Sequence, residues 1–125
     1  MPFAAQYAKV LSNAVEMPII ICDTDSVIAV SELPENEYVD RKITSKLGSI
    51  IFEREKFILS EDNLTPLRII VEIESNSAIV IPIVTSREAV GAVVAVAAVP
   101  NTFPTSAQIL LVETVAKILS KQVEN

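Results

Sequence analysis

Apolar residues in this chain fall into two kinds of pattern: unbroken β-branched runs in its last third, and helical steps at both ends. Ala78 to Val84 is one apolar run and Val90 to Ala98 another, parted by Thr85-Ser86-Arg87-Glu88-Ala89. Two such runs with a short polar break predict an antiparallel hairpin, since a parallel crossover needs a dozen or more residues. After the loop Asn101-Thr102-Phe103-Pro104, Thr105 or Ser106 is placed to cap a long amphipathic helix. At the other end, Phe3, Tyr7, Val10, Leu11 and Ala14 mark one face of a helix from about Pro2 to Val15, which Pro18 stops.

The middle is read the same way. Pro18 to Cys22 forms a short buried strand, Asp23-Thr24-Asp25-Ser26 a turn, and Val27 to Val30 the returning strand. Leu33 to Tyr38 starts with Pro near a helical first turn, and Thr44 or Ser45 caps a helix carrying Leu47, Ile50 and Ile51 despite Gly48. Phe57 to Leu59 and Arg68 to Ile73 predict strands around a polar loop, Glu61 to Pro66. In the second of these strands, Ile69, Val71 and Ile73 alternate with Arg68, Ile70, Glu72 and Glu74, the pattern of a half-exposed strand. The resulting order, α-β-β-α-α-β-β-β-β-α, is an α+β layout with one central antiparallel sheet. The expected domain is single and spans 1–125, without a repeat or an internal linker.

Composition narrows the function. Half of the 125 residues are hydrophobic, mostly aliphatic, with a net charge of −6. An acidic chain whose only basic cluster is Arg41, Lys42 and Lys46 is not expected to grip phosphates, so no direct nucleic-acid contact is expected. The longest apolar run, Ala89 to Val99, has 11 residues, whereas a membrane span needs about 20. No secretory signal is visible, and a lone cysteine, Cys22, suits a reducing cytoplasm.

Catalytic chemistry finds little support. Without histidine, the commonest general base and metal ligand are missing. Cys22 lies among apolar neighbours and reads as a buried, unreactive thiol. Asp23-Thr24-Asp25-Ser26 resembles the start of a calcium loop, but the sixth and twelfth positions hold Ile28 and Pro34 in place of Gly and a carboxylate. With only Gly48 and Gly91, no phosphate cradle can form. Gly91, inside a strand, marks a bulge or a close backbone approach. Ser45-Lys46 and Ser120-Lys121 are adjacent on helices and so do not face each other as dyads. No metal or cofactor is expected, and no enzyme activity.

Several segments do carry a resemblance. Phe3 to Ala8, Ile20 to Ser31 with its Cys22-Asp-x-Asp, Ile81-Pro82-Ile83-Val84 with Val90 to Val94, and Val112 to Ala116 resemble the C-terminal domain of the stage V sporulation protein T family of AbrB-type transcription regulators. The likeness runs from about Phe3 to Val123 and is weakest between Arg54 and Ile73. It implies a GAF-like central antiparallel sheet with the N- and C-terminal helices packed on one side. It also implies the sensor half of a sporulation regulator, here without the AbrB-type DNA-binding domain that precedes it in the family. The signature of cyclic-nucleotide-binding GAF domains is not apparent, nor is a residue suited to haem or a bilin.

Two readings of function follow. The first is a small-molecule-sensing and dimerising module whose ligand lies on the sheet face covered by residues 31–57, with Ser31, Tyr38, Phe52 and Phe57 as candidate ligand-binding residues. The second is a purely structural dimerisation module with a filled pocket. A GAF-fold reductase of free methionine sulfoxide would need more than one redox cysteine. In either of the first two readings a homodimer is expected through the terminal helices. Its seams are Phe3, Tyr7, Val10 and Ala14 on the first, and Ile109, Val112, Ala116, Leu119 and Val123 on the last. Leu110, Leu111, Val115 and Ile118 form a second apolar surface on that last helix, left to cover the sheet or a partner.

Overall fold

The computed structural model describes residues 1–124. The elements run α1 (Ala4–Val15), β1 (Ile19–Cys22), β2 (Val27–Ser31), α2 (Glu35–Tyr38), α3 (Ser45–Glu53), β3 (Phe57–Ile58), β4 (Leu67–Arg68), β5 (Asn76–Val84), β6 (Ala89–Val96) and α4 (Ser106–Glu124). This is the order that the hydrophobic pattern predicts. All strand pairs are antiparallel, in the sheet order β2-β1-β6-β5-β3, with β4 also pairing β5.

Local chemistry explains the boundaries. Thr44 caps α3, its hydroxyl accepting from the Leu47 N–H at 3.2 Å. At the start of α4, Thr105 and Gln108 form a reciprocal capping box: the Gln108 N–H donates to Thr105 Oγ1 and the Thr105 N–H to Gln108 Oε1. Asp23 Oδ1 accepts from the N–H groups of Asp25 and Ser26 and so closes the β1–β2 turn. Pro82 lies in β5 beyond the stretch that pairs with β3, on an edge where its missing N–H leaves no ladder bond unmade.

The sheet buries both faces. Ile19, Ile21, Ile79, Ile81, Ile83, Val93 and Ala95 form one core with Ala8, Leu11 and Val15 of α1 and Val112, Ala116 and Leu119 of α4. Ile20, Cys22, Val80, Ala92 and Val94, which alternate with the first set, form a second core with Tyr38, Ile43, Leu47, Ile51, Ile69 and Ile70. The two terminal helices therefore share one side of the sheet, antiparallel to each other. Gln108 Nε2 donates to the Val15 carbonyl at one end and Gln122 Nε2 to the Tyr7 hydroxyl at the other.

Two sequence expectations need correction. The strand expected over Arg68 to Ile73 stops at Arg68, and Ile69 and Ile70 are both buried, so no alternation exists there. The Arg68 guanidinium reaches forward to the carbonyls of Ile70 and Val71, curling the chain away from the sheet and leaving Val71 exposed. The seam Val112, Ala116 and Leu119 faces the chain's own sheet. Spacings of three and four mark a helix face but not its partner, and the sheet has taken this one.

Candidate functional site

The four residues singled out for ligand binding do not converge. Ser31 points to the α1 side of the sheet, where its hydroxyl lies 2.7 Å from that of Ser12. Tyr38, only 8% exposed, belongs to the second core. Phe57 is half-buried and packs against both cores. Phe52, on the outer side of α3, is 84% exposed. The space beneath α2 and α3 is packed with Ile43, Leu47, Ile51, Ile69 and Ile70 around Tyr38.

Phe52 alone of the four borders a groove of about 680 Å³, a volume within the range of small-molecule sites. One wall is the outer stripe of α3, with Ser45, Gly48, Ser49, Phe52 and Glu53 recurring at helical spacing and Arg54 beyond them. The other wall is Thr24 of the β1–β2 turn with Arg87, Glu88 and Ala89 of the β5–β6 hairpin. The hairpin is held in shape by Thr85, whose N–H donates to the Glu88 carbonyl and whose Oγ1 accepts from the N–H groups of Arg87 and Glu88.

Arg54 ties the walls together. It ends α3 in the left-handed region, φ 60°, while its Nη2 donates to the Arg87 carbonyl at 2.9 Å. A non-glycine residue in that conformation costs about 1 kcal/mol, so the cross-groove bond is made from a strained position. The same hairpin touches α4 from its other side: the Ser86 N–H donates to Glu124 Oε1 at 2.8 Å and Ser120 Oγ donates to the Val84 carbonyl. Lys56 and Glu113 form a further ion pair between the segment after α3 and α4.

The two glycines have opposite surroundings. A Cβ on Gly91 would sit 2.0 Å from the Cys22 carbonyl oxygen, so the close approach expected from sequence is real. A Cβ on Gly48 would meet nothing within 4 Å, because that position opens onto the groove. Sequence reasoning missed the groove because its walls, residues 45–54 and 87–89, meet only through the fold. The one signal available was Gly48, an unexplained glycine inside a helix.

Cys22 is fully buried, and burial pushes its thiol up to about 12, with the adjacent Asp23 charge adding to the shift. It is not a nucleophile at neutral pH.

The outer sides of α1 and α4 carry the remaining apolar surface. Phe3 (59% exposed) caps the start of α1, Val10 (66%) and the exposed Ala14 lie on it, and Tyr7 is half-buried. On α4 the exposed apolar residues are Leu110 (63%), Leu111, Ile118 and Val123. Ile109 packs against the inner core. None of the described helices is long and apolar enough to cross a membrane.

Comparison with known proteins matches this architecture. Residues 1–124 fit the family described as stage V sporulation protein T C-terminal, transcription factor. The chain is 32% identical over 92 residues to stage V sporulation protein T of Bacillus subtilis (strain 168), an alignment covering 74% of this chain and 52% of that protein. It thus spans about half the length of the curated relative it matches. Among solved structures, the cofactor binding GAF domain of the nutrient sensor CodY from Clostridium difficile superposes with a TM-score of 0.63 at 13% identity, covering 96% of this chain and 83% of that one. At that identity the likeness speaks for the fold alone. The matched family is one of transcription-factor domains and not a class of enzymes. An α+β chain with both terminal helices on one face of a six-stranded sheet, matched along its described length, belongs to the stage V sporulation protein T C-terminal family and has the GAF fold.

Proposed function

We propose that this domain is the sensing and dimerising part of a cytoplasmic, sporulation-type transcription regulator. A small molecule enters the groove between α3 and the β5–β6 hairpin, and the outer faces of α1 and α4 pair with those of a second copy. The observation that carries the reading is the hairpin itself. It lines the groove through Arg87 and Glu88 and is hydrogen-bonded to α4 through Val84 and Ser86. Occupancy of the groove therefore bears on the helix that presents Leu110, Leu111 and Ile118 outward. Six exposed apolar side chains on two adjacent helices are more than isolated surface residues, and burial against a symmetry mate would remove them from water. The corrected interface uses Phe3, Val10, Ala14, Leu110, Leu111 and Ile118; Val112, Ala116 and Leu119 are committed to the internal core, Tyr7 and Ile109 pack partly buried against it, and Val123 lies beside the β5–β6 hairpin.

The test has two arms. A metabolite library screened by thermal shift should yield a ligand whose binding perturbs Gly48 and Arg54 in ¹H–¹⁵N spectra. Sedimentation equilibrium should report a dimer that Ile118→Glu dissociates without unfolding. A library without hits would remove the sensing half, and a 13.6 kDa species at tens of micromolar would remove the dimer. The packed interior around Tyr38 favours one second reading, a structural dimerisation module in which no ligand binds.

A further inference from the structure

The groove's charged groups specify what it would hold, on the reading that it is the sensing site. Arg54 and Arg87 bring two guanidiniums to its edge, and Glu53 and Glu88 two carboxylates. Among the described residues none of these four is ion-paired, although Lys56 and Arg41 nearby have each found a glutamate. Arg54 uses one N–H on the Arg87 carbonyl, which leaves most of its donor fork unused by the ion pairs and hydrogen bonds of the fold.

Gly48 adds an independent observation. A glycine inside a helix costs about 0.5–1 kcal/mol relative to alanine. Packing supplies no reason for it, since a methyl group there would touch nothing within 4 Å. The missing side chain instead lets a bound molecule approach the α3 backbone, midway along the groove wall. Phe52 adds an exposed ring at the rim.

We propose that the ligand of this groove is a small molecule bearing both an oxyanion and a protonated amine. The oxyanion is taken by Arg54 and Arg87 and the amine by Glu53 and Glu88, with the body of the molecule over Gly48. A guanidinium fork suits carboxylate and phosphate equally. The two carboxylates disfavour a plain polyanion, which would meet like charge on both walls.

The experiment uses the full chain and four probes: O-phosphoethanolamine, 4-aminobutyrate, inorganic phosphate and ethylamine. Each is titrated into the millimolar range in ¹H–¹⁵N NMR. At least one of the two bifunctional probes gives saturable shifts at the Gly48 and Arg54 amides and binds about tenfold more tightly than either inorganic phosphate or ethylamine, the ratio worth about 1.4 kcal/mol. The stronger of the two assigns the anion as phosphate or carboxylate. Arg87→Gln, on an exposed turn, weakens that binding about tenfold at unchanged thermal stability, and Gly48→Ala weakens it while raising stability. Failure of both bifunctional probes to saturate, or equal affinity for phosphate alone, would overturn the assignment. So would binding that survives Arg54→Gln and Arg87→Gln together. A library metabolite that shifts Gly48 yet binds the double variant normally leaves the sensing role intact and overturns only this ligand class.

Discussion

Replacing Gly91 by alanine tests the tightest contact in the sheet. The added Cβ would lie 2.0 Å from the Cys22 carbonyl oxygen, 3.0 Å from its carbonyl carbon and 3.1 Å from the Asp23 Cα, all backbone atoms. A side chain could swing away, but β1 cannot: it is paired with β6 on one side and β2 on the other. Relieving the contact means moving two hydrogen-bonded strands apart by more than an ångström. Overpacking of this kind costs about 3 kcal/mol. Alanine returns up to about 1 kcal/mol by restricting the unfolded chain. The steric term wins, leaving a net loss of about 2 kcal/mol or more from a total of about 5–15 kcal/mol. For a domain of this length each kcal/mol is worth about 4 °C, so Tm should fall by about 8 °C or more. Circular dichroism melting reads this directly. A Gly91→Ala protein melting within about 2 °C of the parent would refute the reasoning, since that shift corresponds to only about 0.5 kcal/mol.

The other expectations use the same melting and denaturant assays. Gly48→Ala should raise Tm by about 2–4 °C, because it gains helix propensity and meets no neighbour; a lower Tm would mean that the position is packed after all. Cys22 should label slowly with a thiol reagent at neutral pH, and rapid stoichiometric labelling would contradict its burial. The native thiol stays protonated to about 12, whereas the unfolded one ionises from its ordinary 9.0, so stability should fall as pH rises above 9. Between pH 9 and about 10.5 the parent should lose about 1–2 kcal/mol more than Cys22→Ala in urea titrations, and parallel curves would refute the linkage. Leu119→Glu should unfold the domain by leaving a charge in the core, whereas Ile118→Glu, one residue away, should fold and only dissociate. Identical outcomes for the two would show that the faces of α4 are wrongly assigned.

Patterns that depend on neighbours in sequence were legible without the structure. The apolar runs of β5 and β6, the Asp23 turn and the Thr44 and Thr105 caps are each settled within a few residues, and Gly91 announced a close approach without naming its distant partner, Cys22. The misreadings arose where a long-range contact decided the outcome. Arg68 to Ile73 alternates as a strand does, yet Ile69 and Ile70 both turn into the second core. Tyr38 and Phe57 have the composition of pocket walls as well as of a core, and only the fold shows Tyr38 enclosed by Ile43, Leu47 and Ile70. Ser31 extends by one residue the strand predicted to end at Val30, and its hydroxyl meets Ser12 of α1 on the face opposite the expected pocket.

Helix α4 shows why apolar content alone could not assign its surfaces. Its residues are apolar on two sides, and the spacing of Ile109, Val112, Ala116, Leu119 and Val123 is the more regular of the two. Regularity suggested a coiled-coil seam, yet a sheet is as demanding a partner as another helix. The inner stripe shares a core with Ile79, Ile81 and Ile83, evenly spaced along β5, and with Val93 of β6. Leu110, Leu111 and Ile118 are then turned outward by geometry, beside Phe3 and Val10 of α1. The outward face is the irregular one, and it continues across two helices from opposite ends of the chain. Neither helix reveals that face alone. It forms where α4 lies against α1, held by the Gln108 and Gln122 bonds, and on the proposed sensing reading the hairpin's bonds to Ser120 and Glu124 would link it to the groove.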